Sequence, residues 1–435
     1  MINRYLSFVF NYTRSIGSCF LLILSDPMLE VVAKIRTFVN SNTYVLELCA
    51  KILIKLISVM KSLVATAVIL TLFIIQNNIS AQIEPWYYIP ENNLHEQKKN
   101  QIFLNFDSHH FLINNEFFGS IVEGYTLPGH IIQPTIVAYA GDHIRLEGGV
   151  NIRKYYGKNE ELDFRAILSA RLKFNDNLQL VMGTLNGHRH HNMLDALYLN
   201  ERAVFNPIEN GIQFLYDKGS TKADLWLNWE QFIRTGDSIP EIFTVGLNFR
   251  QKLVNNESGW ELAMPIQGIV MHEGGQISDF ATSSESLVNI SAGLESHHAL
   301  DGRISNIGWF GHYILYKDLR EVNIHEIYSG QGIYAGVTAA TDESTLMLGY
   351  WDANNFIAPR GNPIYQSVSF IDPMEVVKKR QLVTAKYSWH RRFSRNVNFS
   401  FLFEAYYDVP ISHFDYGYGI YLTFTPEFFI SNFSF

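Results

Sequence analysis

The chain has 435 residues, of which 47% are hydrophobic, 14% aromatic and 17% charged. This charged fraction is below that of typical soluble domains, and the 23 Tyr and 31 Phe exclude a disordered chain. Both cysteines, Cys19 and Cys49, precede residue 60, so the remainder has no disulfide scaffold, Cys-ligated zinc site or Cys nucleophile. Asp and Glu (42) outnumber Lys and Arg (34), which argues against a nucleic-acid partner.

Residues 60–81 have the parts of a secretory signal peptide. Lys61 supplies the basic start, an apolar run covers 63–75, and small residues ending at Ala81 form a cleavage site. The alternative is a transmembrane helix over about 52–75, but Lys55 and Lys61 interrupt that run. Residues 1–59 are interpreted as a misassigned upstream extension or a long leader. Residues 82–100 are predicted to form a periplasmic N-terminal segment.

Apolar and polar side chains alternate along most of the chain after residue 100. Between residues 163 and 174, for example, Phe164, Leu168 and Leu172 share one face of the strand, whereas Arg165 and Arg171 share the other. Such alternation indicates strands with one dry and one wet face. The strands run about ten residues, which is close to the length that a tilted membrane strand needs.

The alternation predicts an all-β fold, a closed antiparallel transmembrane β-barrel of about 16 strands (range 14–18) over 101–425. Short connections alternate with long ones, as do the periplasmic turns and external loops of outer-membrane barrels. Pro265 lies within a predicted strand, where we expect a bulge or break. Residues 426–435 are either a C-terminal tail or the end of the closing strand. The predicted strands are 101–112, 130–140, 143–156, 162–174, 178–185, 211–217, 222–233, 242–253, 259–271, 287–299, 303–317, 331–340, 344–352, 381–393, 397–408 and 415–425.

Three segments carry a family resemblance: Glu123–Gly129, Asn228–Phe232 and Gly417–Leu422. With them the chain resembles porin-like outer-membrane β-barrels of gram-negative bacteria, in an uncharacterised family. The resemblance implies location in the bacterial outer membrane, contact with its lipid, and assembly by the barrel assembly machinery. It leaves open a homo-oligomer. It also implies that the third external loop folds into the lumen and narrows it.

That third loop, 186–210, is rich in charged side chains, and opposed charges at a constriction select permeants. An ordinary surface loop is the alternative interpretation. Its three neighbouring histidines could hold a metal, but they lack a set of partner carboxylates, so no metal site is predicted. The predicted pore-lining and constriction residues are His188, Arg189, Asp195, Glu201, Arg202, Arg145, Glu147, Arg165, Arg171, Asp224 and Glu230.

The polar inward faces favour diffusion of small hydrophilic solutes through a water-filled lumen. One alternative is a structural or adhesive barrel that binds a partner through its loops. Another is an envelope lipid-modifying enzyme, which a convergent Ser–His–carboxylate set at the lipid or lumen face would favour. Because no nucleophile elbow, His-Glu-x-x-His motif or phosphate loop occurs, the sequence predicts no enzyme, no catalytic residue and no cofactor.

Overall fold

A computed structural model describes residues 98–157, 162–256, 259–275, 285–320, 323 and 325–434. The predicted leader, the signal peptide and most of the segment 82–100 lie outside these ranges. Within them, no helix is both long and apolar enough to cross a membrane.

The described chain is almost entirely β-strand. Its helices are short: α1 (His188–His191), α2 (Arg202–Phe205) and a 3₁₀ turn (Pro363–Tyr365). The strands are β1 (Gln101–Glu116), β2 (Tyr125–Ala140), β3 (Ile144–Tyr155), β4 (Asp163–Lys173), β5 (Leu178–Thr184), β6 (Asn210–Lys218), β7 (Thr221–Gln231), β8 (Glu241–Asn255), β9 (Trp260–Gly274), β10 (Glu285–Ala299), β11 (Asn306–Asp318), β12 (Ser329–Ala340), β13 (Ser344–Asn354), β14 (Lys379–Ser394), β15 (Val397–Asp408), β16 (His413–Phe424) and β17 (Glu427–Asn432).

The strands form one closed antiparallel barrel, because β1 pairs with β2 on one edge and with both β16 and β17 on the other. β16 and β17 share a single position in the wall. The break between them falls at Pro426, which has no N–H to donate, although its carbonyl still accepts from the Phe106 backbone N–H at 3.1 Å. The predicted closed 16-strand barrel is confirmed. The residues 427–432 continue the closing strand.

Each predicted strand coincides with an observed one, but the structure extends several of them at the long-loop end. β1 and β2, for instance, run to residue 116 and from residue 125, which shortens the predicted 113–129 loop to 117–124. The expectation of a bulge at Pro265 is wrong, because Pro265 pairs regularly with Arg250. The register shift lies instead on β8, between Lys252 and Val254.

Alternation sets the two faces of the wall. Leu168, Ile136 and Phe164 point outward and are 55–68% exposed, whereas Arg145 and Arg171 point inward and are buried. At the short-turn end, Gly141 takes φ 64° in the β2–β3 turn, a conformation that suits glycine. A closed sheet with an apolar outer surface satisfies every backbone group within a bilayer, so this chain is a bacterial outer-membrane barrel that contacts membrane lipid.

The inside of the barrel has a hydrophobic core of its own. Strand residues such as Trp226, Phe310 and Trp351 meet Leu197, from the loop 185–209, and Tyr365, from the loop 355–378. All five are at most 2% exposed. Burial of a large apolar side chain is worth about 1.5–3 kcal/mol, so this inner core holds both loops inside the wall.

Candidate functional site

The loop 185–209 connects β5 to β6 at the long-loop end and folds back into the lumen. Leu194 and Tyr198 are at most 3% exposed and pack in the inner core. The backbone N–H of Leu194 donates to the side chain of Gln267 on β9 at 2.9 Å. Polar contacts to strands on several sides of the barrel then fix the loop.

The first ionic anchor joins the loop to β14 and β15. Lys386 donates to Asp195 of the loop at 3.0 Å and also pairs with Glu404 of β15. Asn362, from the loop 355–378 (the second internal loop), donates to Asp195 at 2.8 Å. Burial opposes ionisation of Asp195, but the Lys386 cation and the hydrogen bonds from Asn200 and Asn362 outweigh it and hold the pKa of this carboxyl below its usual value.

Glu201 and Arg202 form the second anchor. The Tyr125 hydroxyl donates to Glu201, and the Asn115 amide donates to it at 2.9 Å. Burial raises the pKa of Glu201 to about 7. Arg202 lies 3.6 Å from Glu230 on β7, and the same carboxylate binds Arg360 of the second internal loop at 3.0 Å.

The third anchor is His191, which is fully buried. Its Nδ1 lies 2.7 Å from Asp224 and its Nε2 lies 2.9 Å from Glu209. The ring stacks on Trp226 with centroids 3.6 Å apart. Burial disfavours the charged ring, but the two carboxylates outweigh this effect and raise the pKa of His191 to about 9, so the ring is an imidazolium at neutral pH.

The remaining predicted pore residues line the inner wall on β3 and β4. Arg145 pairs with Glu147 at 2.7 Å. Arg165 donates to Asn206 of the loop at 2.8 Å, and Arg171 donates to Gln179 at 3.1 Å. The side chains of His188 and Arg189 lie outside the described set. The pore-lining role of all these residues stays a prediction.

The inner core separates the long-loop end from a polar cavity of about 480 Å³. Turn-proximal residues such as Asp176, Asp217 and Lys252 line this cavity, which therefore opens towards the short-turn end, while Arg250 and Glu295 lie deeper. A water-filled lumen was expected from the inward polar positions. The structure differs because apolar side chains of two loops occupy the centre.

A Ser–His–carboxylate set lies on the inner wall. His312 Nδ1 is 3.3 Å from Ser291 Oγ, and its Nε2 is 3.5 Å from Glu295. All three side chains are at most 3% exposed. Glu295 is also bound by Arg250. Ser291 does not border the 480 Å³ cavity.

A second Ser–His pair lies on the outer face, in the middle of β1. Ser108 Oγ is 3.0 Å from His110 Nε2, and His110 is exposed while Ser108 is 5% exposed. Their neighbours on β16 are Phe424 and Leu422, each 42% exposed. An ionisable side chain on a lipid-facing strand is costly, so this pair is a functional-site hypothesis by default.

A third pair, His272 and Ser286, lies on the outer face close to the long-loop ends of β9 and β10. His272 Nδ1 is 2.9 Å from Ser286 Oγ, and its ring stacks on Phe243 with centroids 4.7 Å apart. The position near a strand end, beside aromatic residues, suits the membrane interface. A polar pair is less costly there than in mid-strand.

Sequence analysis missed the Ser108–His110 pair, although strand parity carries the signal. In β1 the buried residues Phe103, Phe111 and Ile113 mark odd positions as inward. Ser108 and His110 hold even positions and therefore interrupt the apolar outer face. The sequence analysis had not separated the two faces of this strand.

Three solved outer-membrane proteins illustrate the similarities found. The loop L8 deletion mutant of OmpT, an outer membrane protein of Vibrio cholerae, is 11% identical, with 75% of this chain and 99% of that chain covered and a TM-score of 0.45. OprD from Pseudomonas aeruginosa is 7% identical, with 81% and 98% covered and a TM-score of 0.45. OpdK from Pseudomonas aeruginosa is 8% identical, with 75% and 99% covered and a TM-score of 0.45. No curated protein matches the chain.

The family comparison changes the functional interpretation. Residues 94–433 match the model of a family described as lipid A 3′-O-deacylase-type. This is a family of enzymes, so the sequence prediction that the chain is not an enzyme is wrong. The motif search failed because a barrel can carry its chemistry on separate strand positions, outside any contiguous signature. The match spans well over half of the chain, which therefore belongs to the lipid A 3′-O-deacylase-type family.

Proposed function

We propose that this protein hydrolyses an ester-linked acyl chain of an outer-membrane lipid at Ser108, on the outer face of the barrel. The observation that carries the proposal is the hydrogen-bonded Ser108–His110 pair in the lipid-facing middle of β1. The family description supports ester hydrolysis as the reaction class. The exposed faces of Leu422 and Phe424 supply an apolar surface for the acyl chain beside the serine.

The reaction follows from the geometry of the pair. With its proton on Nδ1, His110 accepts the Ser108 hydroxyl proton at Nε2 as Oγ attacks the ester carbonyl carbon. The bond between that carbon and the lipid alcohol oxygen breaks, and the alcohol takes the proton from His110. Water then attacks the acyl-serine and gives a proton to His110, which returns it to Ser108 Oγ as the fatty acid leaves.

The test measures release of fatty acid from lipid A in mixed detergent micelles by mass spectrometry. We expect Ser108→Ala and His110→Ala each to lower the rate by about 10²–10⁴-fold, since each removes the nucleophile or its base. Ser286→Ala is the matched control, because it also removes an outer-face serine that is hydrogen-bonded to a histidine. Ser291→Ala tests whether the inner-wall set of Ser291, His312 and Glu295 carries out the reaction. Loss of activity in either of these two variants, with Ser108→Ala fully active, would assign the reaction elsewhere.

Diffusion of small hydrophilic solutes is the second candidate function. The polar 480 Å³ cavity favours it, whereas the inner core lies across the path to the long-loop end. We expect the wild-type protein to give no steady conductance in planar bilayers. Regular unit steps at low voltage would favour the channel over a solely enzymatic role.

A further inference from the structure

Two arginine side chains lie side by side on the inner wall, near the short-turn end of the barrel. Arg145, the second residue of β3, is the register partner of Arg171 on β4. Both point inward and are 3% exposed. Opposite residues on paired strands have Cβ atoms about 4.5–5.5 Å apart, and like charges at such positions are destabilising. A negative charge close to both guanidinium groups would therefore stabilise this part of the wall.

The protein supplies a counter-ion to only one of these two arginines. Arg145 pairs with Glu147 at 2.7 Å. Arg171 donates to amide oxygens, that of Gln179 at 3.1 Å and that of Asn186, and no carboxylate in the described part of the chain forms an ion pair with it. A buried charge without a counter-ion is strongly unfavourable. An anion beside Arg171 would remove this cost.

A polar cavity of about 80 Å³ lies between this wall and the loop 185–209. Arg145 and Arg171 border it, as does Thr135 of β2, which is also 3% exposed. The Nε atoms of both arginines and the Thr135 hydroxyl have no hydrogen-bond partner among the residues that the structure describes. Buried donors are normally satisfied. Since one water needs about 10–15 Å³ of such space, the cavity has room for a small ion that accepts from these donors.

Two carboxylates also border the cavity, and neither neutralises Arg171. Glu147 is held by Arg145. Asp107 belongs to β1, three strands from β4, which is about 14 Å along the wall. Asn186 and His190 border both this cavity and the 480 Å³ cavity, so the two adjoin. A small solute that enters at the short-turn end therefore has a short path to the arginines.

We propose that this cavity binds one small inorganic anion, a halide or a small oxyanion, between Arg145 and Arg171. The guanidinium N–H groups and the Thr135 hydroxyl donate to the anion, which supplies the missing acceptor and the missing counter-ion. The anion also stabilises the docked loop 185–209, because Leu185 and Ile208 of this loop border the cavity. The site is independent of the hydrolysis proposed on the outer face.

The experiment measures the urea midpoint of the full chain in detergent micelles, in sodium chloride, sodium sulfate and sodium gluconate. Equal ionic strength keeps screening constant, and gluconate is the bulky anion that the cavity excludes. We expect a higher midpoint in chloride or in sulfate than in gluconate. An anion that binds only the folded state raises the ratio of folded to unfolded chain about 11-fold at roughly ten times its dissociation constant. Equal wild-type midpoints in all three salts would overturn the site.

The variants separate binding at this site from general salt effects. Arg171→Gln is expected to lose the difference between the salts, beyond the stabilisation that sulfate gives any protein. Arg165→Gln is the matched control, because Arg165 is also on β4 and donates to Asn206 of the same loop at 2.8 Å, but does not border the cavity. It should keep the wild-type difference. An Arg171→Gln protein that also keeps it would overturn the proposal.

A direct measurement decides the question if Arg171→Gln does not fold. Wild-type crystals are grown in bromide and, separately, in selenate, which report a halide and an oxyanion by anomalous scattering. We expect a peak between Arg145 and Arg171 with one of the two anions, which also identifies the class of anion. Absence of a peak at this position with both anions would overturn the site.

Discussion

Replacement of Lys386 by methionine tests how the loop 185–209 is held inside the barrel. Lys386 is 5% exposed and is the cation shared by Asp195 and Glu404. Methionine keeps an apolar stem against Tyr406 but leaves two carboxylates buried without their cation. Removal of one partner from a buried pair costs about 3–5 kcal/mol. This cost shifts the ratio of released to docked loop by roughly 10²–10⁴-fold.

The assay is single-channel conductance in planar bilayers, combined with the urea midpoint of unfolding. We expect Lys386→Met to show openings that the wild type lacks, and a lower urea midpoint. Lys99→Met is the control, because Lys99 and Asp142 form a pair with 52% and 41% of their side chains exposed. Such a pair contributes about 0–1 kcal/mol. If Lys386→Met is as silent and as stable as Lys99→Met, the ionic anchor does not hold the loop.

Three further predictions concern the same interior. Burial raises the pKa of Glu201 to about 7 from its ordinary 4.5, so the stability that protonated Glu201 contributes is full below pH 4.5 and is lost as the pH rises through 7. Glu201→Gln should therefore have the wild-type urea midpoint at pH 4 and a higher midpoint than the wild type at pH 8. A lower midpoint for Glu201→Gln at pH 8 would contradict this sign. His191 has a pKa of about 9, and its ring stacks on Trp226. The tryptophan emission of the wild type should therefore rise as the pH passes 9, and Trp226→Phe should lack this rise. No rise in the wild type would mean that the ring does not titrate there. A Cβ on Gly246 would lie 2.0 Å from the Trp226 ring, whereas a Cβ on Gly311 would meet nothing within 4 Å. Gly246→Ala should therefore lower the yield of heat-modifiable folded barrel on gels, and Gly311→Ala should not. Equal yields of the two variants would show that the ring moves aside.

Alternation predicted the barrel because it depends on local parity, which a single strand such as 163–173 already displays. The same reasoning could not predict that residues of long loops fill the interior of the barrel. Leu197 and Tyr365 are apolar residues in long loops, and their burial depends on walls contributed by distant strands. Charged loop residues such as Asp195 and Glu201 were recognised as lumen candidates, but their partners could not be named, because Lys386 and Tyr125 are distant in sequence.

The internal loop has a consequence for the order of assembly. Asp195 is synthesised before the strands that carry Lys386 and Glu404, and β1 stays without its second edge until β16 and β17 arrive. The loop 185–209 is therefore synthesised early, whereas its ion pairs form late. Lys386 and Glu404 lie on two of the last strands to be synthesised, so docking of the loop 185–209 is a late step in assembly of the barrel.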